Sequence, residues 1–254
     1  MSEDSESLDP VDWETYRAIA HRMVDDAVEY IRDVRSRPVW QDMPPDVRAR
    51  FRNGVPEHGV PLHEVYRQVV TDVLPYPMGN IHPRFWMWYM GASNFTGALG
   101  DFLAAILGSN LGGGDHAAAE IDKQVVGWLK EMVGYPASAS GTLVSGGSMA
   151  NLIGLTVARN AMSGIDLRKE GVGALSSPMR FYGSDQIHSC HRIAVEAMGL
   201  GDRALRRVSS DAECRMSLTA LRKAIAEDRA AGLRPACVIA TAGTVNTGAI
   251  DDLA

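Results

Sequence analysis

From Asp12 to Val34 the apolar residues Trp13, Tyr16, Ile19, Ala20, Met23, Val24, Ala27 and Ile31 recur at steps of three and four. That period predicts one amphipathic helix whose apolar stripe needs cover. Between Arg37 and Pro61 five prolines and two glycines exclude long helices and predict an extended arm with short turns. Beyond Pro77 the pattern changes. A helix is expected from about Thr96 to Leu107, then a glycine break at Gly112 to Gly114, then a longer helix from about His116 to Val133 with Asp115 as its N-cap. Short β-like runs follow, alternating with helices: Thr142 to Ser145, helix Met149 to Met162, Phe181 to Ser184, helix Ile187 to Met198, Ala204 to Val208, helix Leu218 to Ala231, and Cys237 to Thr241. Such alternation predicts an α/β fold with a mainly parallel sheet covered on both faces. The expected organisation is a helical N-terminal arm and linker over residues 1–80 and an α/β domain over residues 81–254.

Bulk properties narrow the partners. The chain has 254 residues, 46% hydrophobic and 22% charged, enough to bury a core in one or two domains. Its net charge of -6 and dispersed basic residues give no cationic surface for nucleic acid or acidic lipid. The apolar stretch Phe95 to Leu111 carries Asp101 and is shorter than the about 20 residues a spanning helix needs, so no membrane insertion is expected. The start, MSEDSESLDP, reads as an acidic disordered tip without the features of a secretory signal. Cys190, Cys214 and Cys237 have neither disulfide nor metal-ligand spacing, which suits a reducing cytoplasm.

Ligands of open α/β sheets bind beyond the carboxyl ends of the strands. Here the first run is followed by Gly146, Gly147 and Ser148, the second by Asp185 and His188, and the last by Gly243, Thr244 and Asn246. Glycines ahead of a helix let backbone N–H groups approach an anion, and Ser148 adds a hydroxyl. The same residues also serve a tight turn with Ser148 as helix cap. His188 equally suits a structural histidine bonded to a backbone carbonyl. With His191 it suggests a His-Ser-Cys-His metal site that lacks a third ligand, so none is expected. Gly146-Gly147-Ser148-Met149-Ala150 also approximates a nucleophile elbow, which keeps open a serine hydrolase using Ser148.

Four stretches in order, HPRFWMWYMGAS, TLVSGGSMANLIGLTVARN, YGSDQIHSCHRIAVEAMGLG and VIATAGTVNTGAIDDLA, resemble the group II pyridoxal phosphate-dependent amino acid decarboxylases over roughly Pro75 to Ala254. The resemblance implies a fold type I large domain, incomplete here, with pyridoxal 5'-phosphate as cofactor, an L-amino acid as substrate and a homodimer in full-length form. It implies that Gly146, Gly147 and Ser148 hold the cofactor phosphate, that His188 stacks on the pyridine ring as catalytic residue, and that Thr244 lies near the cofactor, with Val245 replacing the family's second threonine. It also implies that His82 to Ser93 contributes to the substrate entrance, where Phe85, Trp86, Trp88 and Tyr89 stand, although core packing is the commoner use for such aromatics. Gly91 occupies the place where the aromatic branch carries threonine, so an aromatic substrate is not implied. The first helix would pack on a partner subunit.

This chemistry needs a lysine to hold the cofactor aldehyde and an acid near the ring nitrogen. Lys123, Lys130, Lys169 and Lys223 all lie in charged helical faces or polar loops, and none follows a histidine. The expectation is therefore a chain truncated before its Schiff-base lysine and inactive alone as a carboxy-lyase, with a sheet edge left uncovered. A non-catalytic pseudoenzyme or partner subunit fits the same facts.

Overall fold

The computed structural model describes residues 10–253; residues 1–9, most of the expected acidic tip, lie outside them, as does residue 254. Tertiary contacts divide the chain between Ser109 and Asn110, later than the compositional change near residue 80. The change in composition marks the end of the proline-rich stretch, whereas the spatial division follows contacts.

In the first unit, helix α1 is Trp13–Arg32. Asp12 caps it, its side chain accepting from the N–H groups of Glu14 and Thr15 at 3.1 Å each. Helix α2, Pro45–Arg50, begins on the proline as expected for a helix N1 position. Helix α3, Leu62–Gln68, runs into a π turn at Val69–Val73, a segment to which the sequence pattern assigned no element. The Tyr66 hydroxyl donates to Asp26 of α1 at 2.6 Å, and Arg50 grips Asp72 with two bonds of 2.9 and 3.0 Å. Helix α4, Phe95–Leu107, is capped by Asn94 and stops at Gly108, which adopts φ 58°. Neither α1 nor α4 buries a residue among those described.

The second unit opens with α5, Ala117–Met132. His116, not Asp115, occupies its N-cap, without a side-chain bond. The His116 ring bonds the Asn110 carbonyl at 3.0 Å, holding the chain extended one residue beyond the expected start. Helices α6, Gly147–Met162, and α7, Leu167–Glu170, precede strand β1, Met179–Ser184, helix α8, Cys190–Ala197, strand β2, Leu205–Val208, helix α9, Leu218–Ala230, and strand β3, Arg234–Ile239.

The sheet is parallel in the order β2-β1-β3, with Phe181 facing Leu205 on one side and Cys237 on the other. Alternation along β1 builds two cores. Phe181 packs with Leu155 of α6 and Ala194 and Val195 of α8, while Tyr182 packs with Val208, Leu221 and Ala224 on the α9 side. Pro235, which cannot donate to a ladder, sits in β3 at the sheet's edge, where a bulge shifts the register. The run Thr142 to Ser145, expected as a strand, is not one: no described strand lies beside it, and a single extended segment without a ladder gains no sheet bonds.

Candidate functional site

β1 continues through α8, on the Phe181 face, to β2, and β2 returns through α9, on the Tyr182 face, to β3 on the other side of β1, so successive connections run on opposite faces of the sheet and a crevice opens at its carboxyl rim. Ser184 closes β1 there, 1% exposed, with a hydroxyl that has no hydrogen-bond partner. The next residue, Asp185, ties two strand ends together: its N–H donates to the Val208 carbonyl at 2.8 Å, and its carboxylate accepts from the Ser210 hydroxyl and backbone N–H. Those bonds, the hydroxyl first, hold the Asp185 carboxyl below the usual carboxylate range. A Cβ at Gly183 would meet the tip of the Ile187 side chain, which folds back over the strand just ahead of His188 and would have to shift.

His188 is exposed at the start of the next turn, and its Nδ1 accepts the Cys190 N–H at 3.1 Å. The neutral ring therefore carries its proton on Nε2. Behind it, His191 and Cys190 are both buried; burial pushes the His191 imidazole down and the Cys190 thiol up.

Helix α6 begins at Gly147, two residues earlier than its apolar pattern predicts, so Ser148 lies inside the first turn and does not cap it. Gly146 is the N-cap, at φ 138° and ψ 165°, a region open only to glycine. No side chain caps the helix, and the first intrahelical bond is from the Ala150 N–H to the Gly146 carbonyl at 3.1 Å. The preceding amides are the orphan donors of a helix N-terminus. A Cβ at Gly146 or Gly147 would meet no atom within 4 Å. Open space, uncapped donors, the exposed Ser148 hydroxyl and the positive end of a sixteen-residue helix fit a phosphate monoester.

The α6 start and α8 are neighbours. Asn151 bonds the Gly147 carbonyl at 2.9 Å and the Cys190 sulfur at 3.7 Å, and a cleft of about 150 Å³ is lined by Ser148, Met149, Leu152, Cys190, Ile193 and Ala194. A wider cleft of about 780 Å³, walled by Asp211, Arg215, Ser217 and Asp251 among others, contains none of the expected site residues.

Thr244 follows β3 in a closed loop. It is buried, and its hydroxyl is paired with that of Thr247 at 2.6 Å. The loop is clamped by Asp251, whose carboxylate accepts from the N–H groups of Thr241 at 2.8 Å and Met216 at 2.7 Å. Asp251, Ser210 and His191 were not singled out for these roles from the sequence; the only local signal for Asp251 was an acid after the turn residues of TGAIDD.

Of the entrance aromatics, Trp86, Trp88 and Tyr89 are 91%, 64% and 88% exposed, so they do not pack a core among the described residues, and Trp88 adopts φ 50°. The four lysine amines are engaged elsewhere: Lys123 with Glu120, Lys130 with the Ala137 and Ala139 carbonyls, Lys169 with Asp166 and Lys223 with Glu227. Among the described residues no three His, Cys, Asp or Glu side chains are grouped to hold a metal, no helix is long and apolar enough to cross a membrane, and Ser148 has no hydrogen bond to a histidine that would activate it.

Comparison with known proteins identifies a family. Residues 44–254 match the model of the pyridoxal-dependent decarboxylase conserved domain. An aromatic-L-amino-acid decarboxylase of Bacillus atrophaeus is 36% identical over 94% of this chain and 49% of its own length, and tyrosine decarboxylase 2 of Narcissus pseudonarcissus is 30% identical over 98% and 51%. The chain thus spans about half the length of the curated relatives it matches. Among solved structures, Catharanthus roseus tryptophan decarboxylase in complex with L-tryptophan superposes with a TM-score of 0.82 at 26% identity, over 96% of this chain and 52% of that one. The glutamate decarboxylase domain of a Vibrio parahaemolyticus protein shares the fold, with a TM-score of 0.84 over 98% and 55% at 24% identity. With the family model matched over residues 44–254, the chain belongs to the pyridoxal-dependent decarboxylase family.

Proposed function

We propose that this chain supplies the phosphate cup and ring platform for pyridoxal 5'-phosphate in a protein that decarboxylates an L-amino acid. The observation that carries the reading is the uncapped glycine N-terminus of α6, with the Ser148 hydroxyl free, in a chain matched by the family over residues 44–254. In this reading the N–H groups of Gly147 and Ser148 and the Ser148 hydroxyl hold the phosphate, and Gly146 shapes the turn. His188 lies on the ring face, its orientation set by the Cys190 N–H, so that it holds the ring plane and keeps a proton on Nε2 beside the reacting carbon. Thr244 borders the same rim, positioned by the Asp251 clamp. The bound cofactor supplies the electron sink that makes loss of the carboxylate feasible.

The protein acts in the cytoplasm on a small-molecule amino acid, as a homodimer in its full-length form. The names of its relatives make aromatic amino acids the first to assay. All four lysine amines have partners close by in sequence, which supports a second reading, a non-catalytic partner subunit that keeps the cup without the reactive amine.

Titration of the chain with pyridoxal phosphate, followed by phosphorus NMR and absorbance, tests the cup. Ser148→Ala removes a hydrogen bond to a charged group, worth roughly 1.5–3 kcal/mol, and is expected to weaken binding about 10- to 100-fold. Unchanged affinity would reject the cup. Borohydride treatment of the complex tests the second reading: a lysine of this chain covalently labelled would reject it.

A further inference from the structure

His191 is a buried histidine that the proposed chemistry does not use, 6% exposed and one helical turn from His188. Its ring Nδ1 lies 3.0 Å from the His188 carbonyl oxygen, and its own backbone N–H donates to the same oxygen at 3.3 Å. A carbonyl only accepts, so the His191 Nδ1 bears hydrogen. The Cys190 sulfur, 3.7 Å from that nitrogen, is a weaker second partner. Burial lowers the His191 pKa, which favours the neutral ring with that one tautomer.

The two bonds converge on the residue whose ring must be aimed. They fix the His188 carbonyl, and thereby the turn through Ser189 that brings the Cys190 N–H to the His188 Nδ1 at 3.1 Å. The two histidines then hold opposite tautomers, His191 protonated on Nδ1 and His188 on Nε2.

We propose that His191 is a positioning residue for His188, its Nδ1–H locking the turn that fixes the His188 ring orientation and tautomer. The functional weight of this rests on the reading that His188 faces the cofactor; the geometry does not.

The test is nitrogen-15 NMR of the histidine rings in the full chain, with the His188 and His191 signals assigned by substitution. The expected wild-type pattern is Nε2–H for His188 and Nδ1–H for His191. His191→Val, which removes the donor, is expected to turn the His188 signal into a mixture of tautomers; His191→Asn, whose amide places an N–H near the Nδ1 position, is expected to restore it. An Nδ1–H pattern for wild-type His188 overturns the proposal, as does an unshifted His188 signal in His191→Val. A His191→Asn chain that folds yet behaves as His191→Val reduces His191 to packing and also overturns it. The function reading fails separately, on pyridoxal phosphate affinity: His188→Ala binding and spectra identical to wild type would remove the cofactor role while the ring pattern still decides the positioning.

Discussion

At Gly146 a single backbone angle carries most of the local constraint. With φ at 138°, an added Cβ costs about 1–3 kcal/mol of strain although the space beside it is open. Gly146→Ala is therefore expected to lower the unfolding free energy measured in urea by that amount or to re-form the turn, and in both cases to weaken pyridoxal phosphate binding in a titration. Gly147→Ala, in helical geometry with nothing within 4 Å, should leave stability nearly unchanged while crowding the anion. A stability loss at Gly147 equal to that at Gly146 would contradict this assignment. Ser210→Ala removes the main cause of the low Asp185 pKa, and carboxyl NMR titration is expected to show the group rising toward its ordinary value of 3.8. Because that pKa is depressed in the fold, the stabilisation it provides is present above the ordinary value and fades as pH falls through the folded one.

Elements are tied together by buried polar pairs as well as by apolar faces. Tyr182 of β1 donates to Asp228 of α9 at 2.9 Å, and Arg206 of β2 reaches the same carboxylate at 2.7 Å. Asp228→Ala would leave the buried Tyr182 hydroxyl without its acceptor, while Arg206 keeps the Glu227 carboxylate and the Ala224 carbonyl, and should cost about 1–3 kcal/mol in denaturant unfolding. Burial, then the bond to Asp228, raises the Tyr182 pKa above its ordinary 10.0. The sign follows: the neutral phenol stabilises fully below about pH 10 and the benefit is lost as pH rises beyond it. Unfolding midpoints on either side of that pH should fall more steeply for wild type than for Tyr182→Phe. Helices were legible at this scale because apolar periodicity and caps such as Asp12 are local. The bonds from Asp185 to Ser210 and from Asp251 to Met216 join residues 25 and 35 positions apart, which no local pattern records. The failure of Thr142 to Ser145 as a strand has the same origin, since a strand exists only through a neighbour.

For the whole molecule, the alternation of strands and helices conveyed the α/β class, whereas the surface carries what composition concealed. Phe102, Leu103, Ile106 and Leu107 of α4 are all more than half exposed. An apolar face of that kind drives association. Sedimentation of the 254-residue chain is expected to show concentration-dependent oligomers, reduced by Leu103→Lys and Ile106→Lys together; a monomer at all concentrations would count against it.

The strand order β2-β1-β3 also dictates a timetable. The centre of the sheet is translated first, and both of its neighbours emerge later, β2 and then β3. During synthesis β1 therefore leaves the ribosome with no partner on either side. The rim that bears His188 is completed only after Ile239 and the clamp at Asp251 have followed. Phe181 gains its cover once α8 and β2 follow, but Tyr182 lacks its partners Val208, Leu221 and Ala224 until α9 has emerged, which makes the interval between β1 and α9 the period when the nascent chain exposes its core most.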